Sequence, residues 1–354
     1  MDYQKKMAEL MVLAAQQGAS DLHLGVGKHP TVRIDGNLVP ISNEAILTPE
    51  MTAGLIGALL TEEQQDKLIS EREIDFAFAF ENKIRFRVNV YFQKGYLSAA
   101  LRLIPVHIRT IEELGLPSIL HEFTKYQQGF FLVVGPAGHG KTTTLAALID
   151  EINHKRMEHI ITIEEPIEYT FSQDRALIDQ REVGTDTVSF HRGLRSVLRQ
   201  DPDVIMIGEM RDPESISIAL TAAETGHLVF STLHTNSASQ TIDRIVDSFP
   251  GSQQSQISSQ LATTLIGIVS ERLIPRISGG RVPACEVMFA NSAIKNLIRE
   301  KKSYQIDLVI ETSVQEGMVS LNRSLMELVR KREISLETAE NYSLNPTELR
   351  QLLG

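Results

Sequence analysis

The sequence predicts an α/β protein in which a first domain of the α+β type precedes a domain built on a parallel β-sheet. Between residues 74 and 92, apolar side chains alternate with polar or small ones at the period of two that is typical of half-buried strands, and further β-prone runs fit residues 31–41 and 97–104. From Gly129 onward, short apolar runs alternate with helical stretches, which predicts a parallel sheet covered by helices. A chain of 354 residues is long enough for two or three domains.

The first domain is predicted to begin with an amphipathic helix that ends near Gly18, because apolar residues recur there at helical spacing. Two short strands fit residues 31–41 on either side of the turn Asp35-Gly36, a dipeptide that tolerates positive φ angles. Alternating patterns predict three further strands, the first two joined by a turn at residues 81–83: 74–80, 84–92 and 97–104. We therefore assign residues 1–104 to this domain and residues 105–116 to a linker.

The second domain is predicted from continuous apolar runs with helical stretches between them: FFLVV, IITI, VIMI and LVFSTL. We place this sheet and its helices at residues 117–270. Apolar residues at helical spacing also predict one long helix over residues 261–273, so the chain is expected to end in a mainly helical part at residues 271–354.

The composition limits the functions that the chain can have. Its formal charge is −10, from 35 basic and 45 acidic residues, which disfavours a protein that coats nucleic acid. The single cysteine, Cys285, cannot form an internal disulfide and favours a reducing compartment. No apolar run approaches the length of about 18 residues that a membrane span requires. We therefore expect a cytoplasmic protein that reaches a membrane only through a partner.

The most specific motif is GPAGHGKT at residues 135–142, which matches the phosphate-binding pattern G-x-x-x-x-G-K-[ST] between a predicted strand and a predicted helix. Its glycines let backbone N–H groups point at phosphate oxygens, Lys141 neutralises the β- and γ-phosphates, and the Thr142 hydroxyl can hold Mg²⁺. ATP and Mg²⁺ are therefore the expected cofactors. The nucleotide is expected to contact a continuous stretch of residues: Gly135, Pro136, Ala137, Gly138, His139, Gly140, Lys141, Thr142 and Thr143.

Hydrolysis of a nucleotide needs carboxylates near this loop, to hold the metal ion and to orient the attacking water. Glu209 ends the apolar strand DVIMIGE and is expected to act alone, because Gly208 takes the place of a second acidic residue. With Thr142, it is the predicted ligand of the Mg²⁺ that accompanies ATP. The strand IITIEE ends in Glu164 and Glu165, whose side chains diverge, so one of the two is expected to face the γ-phosphate. A solvated charge remains the alternative for each carboxylate.

Two histidines and two arginines complete the candidate set. His227 and His234 flank the strand LVFSTL, where they could contact the γ-phosphate, contact a neighbouring subunit or serve only the structure. Arg87 and Arg102 lie on predicted strands of the first domain, far in the sequence from the phosphate loop. They could act only on ATP held by another subunit, and strand geometry alone favours solvated arginines.

Four motifs in this order and spacing resemble those of the secretion ATPase superfamily, which drives type II secretion and type IV pili: GPAGHGKTTT, TIEEPIEY, IMIGEMRDPES and TGHLVFSTLHTNSA. The resemblance extends from residue 20 to residue 300, and its last segment, AIKNLIRE, is similar to a motif of the pilus retraction ATPases. Glu165 stands where the family often has Asp, and His139 where Ser is common. Both differences leave the expected catalytic residues intact, so an active ATPase is expected.

The resemblance implies a hexameric ring whose subunits have a PAS-like first domain and a RecA-like ATPase domain, with ATP at the junction between subunits. It also implies residue roles. Glu164 would be the general base, Glu209 the acid of the Walker B motif, and His227 and His234 the residues of the histidine motif.

Arg87 and Arg102 would then act on the phosphates of a neighbouring subunit, where a guanidinium can stabilise charge on the transferred phosphoryl group. The implied function is retraction of type IV pili by a homo-hexamer that acts on an inner-membrane platform protein and, through it, on the pilin fibre. Assembly ATPases generally have a longer N-terminal region and a four-cysteine metal site, so pilus extension or type II secretion is the weaker hypothesis. A nucleic-acid translocase and a nucleotide-sensing module without turnover are further alternatives, and no nucleic-acid partner is expected.

Overall fold

The computed structural model describes residues 2–34, 36–80, 84–104 and 107–354. The chain forms two compact units, one of Met1–His107 with Pro166–Thr170 and the other of Ile108–Glu165 with Phe171–Gly354. Asp35 of the predicted turn, the predicted turn at residues 81–83 and residues 105–106 of the predicted linker lie outside the described residues. No helix in the described part of the chain is both long enough and apolar enough to cross a bilayer.

The first unit, in its described residues, contains three helices and six strands: α1 (Tyr3–Gln16), β1 (Asp21–Gly25), β2 (Thr31–Ile34), β3 (Asn37–Pro40), α2 (Pro49–Gly57), α3 (Glu62–Glu71), β4 (Glu73–Phe80), β5 (Ile84–Gln93) and β6 (Tyr96–Ile104). Helix α1 begins after Asp2, whose side chain accepts a hydrogen bond from the backbone N–H of Lys5. The opening helix and the strands predicted from alternation are therefore confirmed.

These six strands form an antiparallel sheet in the order β3-β2-β1-β6-β5-β4. Its core contains Leu10 of α1, Leu55 of α2 and the inward-facing residues of the central strands, such as Phe86 and Leu101. Their alternation in the sequence produces this arrangement, because successive side chains of a strand point to opposite faces. The outward face carries Arg87 and Arg102, which are therefore held by the strands and not by a loop.

The second unit contains the remaining elements: a 3-10 helix (Ser118–Lys125), β7 (Gly129–Val134), α4 (Lys141–Lys155), β8 (His159–Glu164), β9 (Leu177–Glu182), α5 (Phe190–Val197), β10 (Val204–Ile207), α6 (Pro213–Glu224), β11 (Leu228–Leu233), α7 (Ala238–Asp247), α8 (Gly251–Thr264), β12 (Leu265–Pro275), β13 (Arg281–Phe289), α9 (Ser292–Arg299), α10 (Ile306–Thr312), α11 (Leu321–Arg330), α12 (Leu336–Tyr342) and α13 (Pro346–Leu353). Short 3-10 turns at Ser303–Gln305 and Val314–Glu316 flank α10.

The strands of the second unit form one sheet in the order β13-β12-β7-β11-β10-β8-β9, in which every neighbouring pair is parallel except β12 with β13. Strands β7 and β11 are buried along their full length, and helices α4 and α6 pack against both. Parallel strands place their carboxyl ends at the same edge of a sheet. The residues that follow β7, β8, β10 and β11 are therefore collected at one edge, and the mixed α/β class is confirmed.

The predicted long helix over residues 261–273 is wrong. Helix α8 ends at Thr264, and strand β12 begins at the next residue and runs between β7 and β13. A continuous apolar run fits a buried strand as well as a buried helix. Here the residues form a strand because the otherwise unpaired edge of β7 supplies partners for their backbone hydrogen bonds. The predicted boundary between residues 270 and 271 consequently falls inside β12, and helices α9–α13 follow the strand pair.

Candidate active site

The phosphate loop joins strand β7, which ends at Val134, to helix α4, which begins at Lys141. Gly135 (φ +148°) and Gly140 (φ +98°) have backbone conformations that residues with side chains rarely adopt. Strand β12 passes close to both: a Cβ at Gly135 would overlap the backbone oxygen of Glu271, and a Cβ at Gly140 would overlap its carboxylate. The first and last glycines of the motif are thus required by the turn and by the contact with β12.

Lys141 is buried, and its Nζ donates hydrogen bonds to the backbone oxygens of Gly135 and Pro136, each at 3.0 Å. The same Nζ lies 3.1 Å from Nδ1 of His234, the residue that directly follows β11. An ammonium group can only donate, so Nδ1 accepts in this contact and the ring hydrogen of His234 lies on Nε2. Lys141 therefore joins the loop to the histidine that sequence reasoning placed in the site.

Glu209 follows β10 and completes this arrangement. Nε2 of His234 lies 3.1 Å from Oε1 of Glu209, so the tautomer set by Lys141 donates to this carboxylate. The other oxygen, Oε2, accepts a hydrogen bond from Nη2 of Arg211 at 3.1 Å, and this bond raises the pKa of Arg211. Nη1 of Arg211 lies 3.7 Å from Oε2 of Glu165. A continuous line of polar contacts consequently runs from Lys141 through His234 and Glu209 to Glu165.

Glu164 and Glu165 diverge at the end of β8, as the sequence predicts. Glu164 is buried, and its Oε1 accepts hydrogen bonds from Thr162 Oγ1 at 2.7 Å and from Gln180 Nε2 at 3.2 Å. Glu165 is exposed. Gly208 lies directly beside Glu164, because a Cβ at position 208 would be 3.5 Å from the Cα of Glu164. The glycine that replaces a second acid therefore adjoins the carboxylate predicted to be the general base.

His227 lies at the other end of strand β11, away from the phosphate loop. Its Nδ1 lies 2.9 Å from the backbone oxygen of Ala222. A strand rises about 3.3 Å per residue, so His227 and His234, which flank the six residues of β11, lie about 23 Å apart along the strand. Within one subunit, the structure does not bring His227 to the site, and contact with a neighbouring subunit stays a prediction.

Arg87 and Arg102 face each other across strands β5 and β6 of the first unit. Nε of Arg102 lies 3.0 Å from Oδ1 of Asp21, and Nη1 of Arg87 lies 3.5 Å from Oε1 of Glu168. The side chain of Arg102 is nevertheless 71% exposed. Each arginine therefore has a carboxylate partner within the first unit, and an action on the nucleotide of a neighbouring subunit stays a prediction.

Sequence reasoning missed Glu271 and gave His139 no role beyond its place in the phosphate loop. Glu271 is buried on β12, and its Oε2 accepts a hydrogen bond from Thr144 Oγ1 at 2.6 Å. Burial raises the pKa of Glu271 to about 7, although the Thr144 hydrogen bond and the charge of Lys141 lower it. Nδ1 of His139 accepts a hydrogen bond from the backbone N–H of Leu273 at 3.0 Å. Recognising residues 265–275 as a strand next to β7 would have predicted contacts of this kind.

The edge of the sheet offers groups suited to a nucleotide with Mg²⁺. The backbone N–H groups at the start of α4 and the ammonium of Lys141 match phosphate oxygens. The hydroxyl of Thr142 and the carboxylate of Glu209 are oxygen donors of the kind that Mg²⁺ prefers. Two such donors are too few for octahedral coordination, so phosphate oxygens and water would have to supply the others. The residues present therefore fit a metal ion that arrives with its nucleotide.

The family model described as "Type II/IV secretion system protein" matches residues 3–351. The chain belongs to this family. Its resemblance to the secretion ATPases, inferred from four motifs, is thereby confirmed.

Relatives within the type II/IV secretion family are similar to this chain over most of their length. The "Type IV pilus retractation ATPase PilT" of Pseudomonas aeruginosa is 44% identical over 340 residues, which cover 96% of this chain and 98% of that one. The "Twitching motility protein" of Neisseria gonorrhoeae is 44% identical over 321 residues, which cover 89% and 84% of the two chains.

A solved structure is similar to the whole fold. The crystal structure of "the Pilus Retraction Motor PilT and Bound ADP" is 46% identical and has a TM-score of 0.89, and the match covers 97% of this chain and 98% of that one. The arrangement of strands and helices found here is thus that of a member of the type II/IV secretion family.

Proposed function

We propose that this protein is an ATP-hydrolysing motor that powers the retraction of type IV pili. The observation that carries the proposal is the line of contacts from Lys141 through His234 to Glu209, which joins the phosphate loop to a carboxylate at the end of a neighbouring strand. Similarity over nearly the full chain to a protein named for pilus retraction supports the motor function, and a related structure that holds ADP supports the nucleotide.

Each residue of the site has a part in hydrolysis that its chemistry supports. Lys141 now donates to two backbone carbonyl oxygens, and it can exchange these for phosphate oxygens, whose full charge binds an ammonium more strongly. Thr142 and Glu209 hold the Mg²⁺ that neutralises phosphate charge. Glu164 orients the attacking water and accepts its proton. His234 couples the positions of Glu209 and Lys141, so that a displacement of one side chain shifts the other.

Arginines from the neighbouring subunit complete the site in a homo-hexameric ring. Arg87 and Arg102 lie side by side on neighbouring strands of one sheet, and the mostly exposed side chain of Arg102 is available to a second chain. A guanidinium supplied by another subunit stabilises the charge that spreads over the transferred phosphoryl group. His227, at the far end of β11, is assigned to the same kind of contact between subunits. Hydrolysis in one subunit is then tied to the placement of its neighbour, which converts chemistry into rotation.

The two compact units have separate tasks in this proposal. The first, at residues 1–104, is a PAS-like domain that presents the arginines, and residues 105–116 link it to the second. From residue 117, the strands and helices up to the strand pair β12 and β13 form a RecA-like core, and helices α9–α13 complete the ring subunit. The hexamer works in the cytoplasm, bound peripherally to the inner membrane through a platform protein, and acts through that protein on the pilin fibre.

Glu209→Ala tests the proposal in the purified protein and in cells. The variant should release phosphate from Mg-ATP at least about tenfold more slowly than the wild type, because it loses the metal ligand and the partner of His234. Glu122→Ala is the matched control, since Glu122 is an exposed carboxylate that pairs with Lys125 and should behave as the wild type.

In the host, cells without the gene should carry abundant pili and fail to crawl, and only alleles with an intact Glu209 should restore movement. Bald cells would indicate a motor for pilus extension. Unchanged pili would indicate secretion, and turnover stimulated by DNA in a salt-dependent way would indicate a nucleic-acid translocase. Equal turnover by Glu209→Ala and the wild type would refute the site assignment.

A further inference from the structure

Strand β12 continues beyond the end of its neighbour β7. Ser270 pairs with Val134, the last residue of β7, and the remaining five residues of β12 extend next to the phosphate loop. Over this stretch, the side of β12 that faced β7 has no strand partner among the described residues, and the phosphate loop lies there instead. The antiparallel partner β13 holds β12 from the other side along the same residues.

Side-chain and backbone groups of this stretch contact the loop and the first turn of α4. The buried carboxylate of Glu271 accepts a hydrogen bond from the hydroxyl of Thr144 at 2.6 Å, and it lies where a Cβ at Gly140 would be. The backbone N–H of Leu273 donates to Nδ1 of His139 at 3.0 Å. Contacts from one strand therefore reach the middle of the loop, its last glycine and the start of the helix.

A buried carboxylate destabilises the folded protein, because burial removes the water that solvates its charge. Ordering a glycine-rich loop also costs free energy, because glycine loses more conformational freedom than any other residue. Both costs occur at Glu271, whose buried oxygens contact a glycine and a hydroxyl of the nucleotide-binding segment. An apolar residue at position 271 would fill the same space without holding Thr144.

We propose that Glu271 is a positioning residue for the phosphate loop: through Thr144 and Gly140, and together with the Leu273 N–H, it holds the loop against β12 in the conformation that receives nucleotide. The inference rests on the proposed function only in taking this loop as the nucleotide site. The apparent affinity of a ligand falls in proportion to the fraction of protein that has the competent conformation. Loss of the Glu271 contact should therefore weaken nucleotide binding.

The test is the affinity of the purified full-length protein for ADP, measured by calorimetry. Glu271→Ala should weaken ADP binding about tenfold, as expected when the competent conformation falls to about a tenth of the population. Glu271→Gln keeps an oxygen acceptor for the Thr144 hydroxyl and should bind within about twofold of the wild type. With Mg-ATP as substrate, Glu271→Ala should raise KM by a similar factor and leave kcat within about threefold.

Thr144→Val removes the hydroxyl but keeps the shape of the side chain, and this variant replaces Glu271→Ala in the test if Glu271→Ala does not fold. Thr144→Val should also weaken ADP binding. The double variant should bind ADP only slightly more weakly than Glu271→Ala alone, because the two groups act through one contact.

Glu286→Ala is the matched control. Glu286 is a buried carboxylate on β13 that caps α7 through the N–H of Ala238 at 2.7 Å, so its loss should lower stability without changing ADP affinity by more than about twofold.

The inference would be overturned if Glu271→Ala bound ADP with an affinity within twofold of the wild type. It would also be overturned if Glu271→Gln bound ADP as weakly as Glu271→Ala does. A failure of the proposed function would look different, because the wild type itself would bind ADP and yet release no phosphate from ATP. A wild type that binds no ADP would overturn both.

Discussion

His234→Ala interrupts the line of contacts at its centre. The ring of His234 links the ammonium of Lys141 to the carboxylate of Glu209, with 3.1 Å at each contact. Alanine leaves the loop contacts of Lys141 in place but removes the group that ties Glu209 to the phosphate loop. The variant therefore separates binding by the loop from the alignment of the carboxylate.

The size of the effect follows from the two lost hydrogen bonds. Each joins His234 to a charged partner, and such bonds contribute about 1.5–3 kcal/mol when they are buried. The side chains of His234 and Glu209 are 46% and 26% exposed, so water replaces part of what is lost. We expect a net loss of about 1.5–3 kcal/mol for the pair of bonds, which, if lost wholly from the transition state, corresponds to a decrease in kcat of about 10- to 160-fold.

Phosphate release from saturating Mg-ATP measures kcat, and calorimetry with ADP measures binding. The expected result is the decrease in kcat with ADP affinity within about threefold of the wild type, because Lys141 keeps its place. His154→Ala is the control, since His154 is a similarly exposed histidine on α4, about 20 Å from Lys141 along the helix. A kcat within twofold of the wild type for His234→Ala would refute the line of contacts as a functional unit.

Three further predictions concern packing, charge and the contact between subunits. A methyl group on Gly267 would lie 2.6 Å from Cζ of Phe123, so Gly267→Ala should lower the free energy of unfolding by about 1–3 kcal/mol in urea titration; an unchanged midpoint would contradict this. Burial raises the pKa of Glu286 to about 7 from 4.5, so the folded state binds this proton more tightly and stability should fall as the pH rises between these values. Glu286→Gln should show a smaller decrease in the free energy of unfolding over this pH range. An equal decrease in the variant and the wild type would contradict the prediction. Inactive Lys141→Ala and Arg87→Ala proteins, mixed and reassembled in equal amounts, should recover about a quarter of wild-type turnover, because that share of junctions combines an intact loop with an intact arginine; no recovery after proven subunit exchange would exclude an arginine that acts between subunits.

In the first unit, helix α1 and strands β2 to β6 were predicted from the sequence, whereas β1, α2 and α3 were not. Its sheet has one buried face, so a residue such as Phe86 alternates with a polar neighbour, and the alternation marks each strand directly. Strand β12, which is mostly buried on both faces, has no such signal. Its apolar run was interpreted as the continuation of α8, and only pairing with β7 and β13 distinguishes the two possibilities.

The candidate site was predictable to the extent that motifs are local. The phosphate loop, Glu209 and His234 were named from the sequence, and the structure brings all three together. Arg211 and Glu271 were not named from the sequence, since neither belongs to a pattern that spacing alone identifies. His227 was grouped with His234 because they flank the same strand, yet a strand carries its two ends to opposite edges of a sheet.

By itself, the sequence determined the phosphate loop, the family, the central strands of the second unit and strands β2 to β6 of the first, because these depend on spacing and turn chemistry within short segments. Only the tertiary structure decided which of the candidate residues meet. Lys141 contacts His234 across 93 positions of sequence, and Thr144 contacts Glu271 across 127. The sheet order β12-β7-β11-β10-β8 makes these residues neighbours, and strand order in a parallel sheet results from how helices and strands pack, which no local pattern encodes.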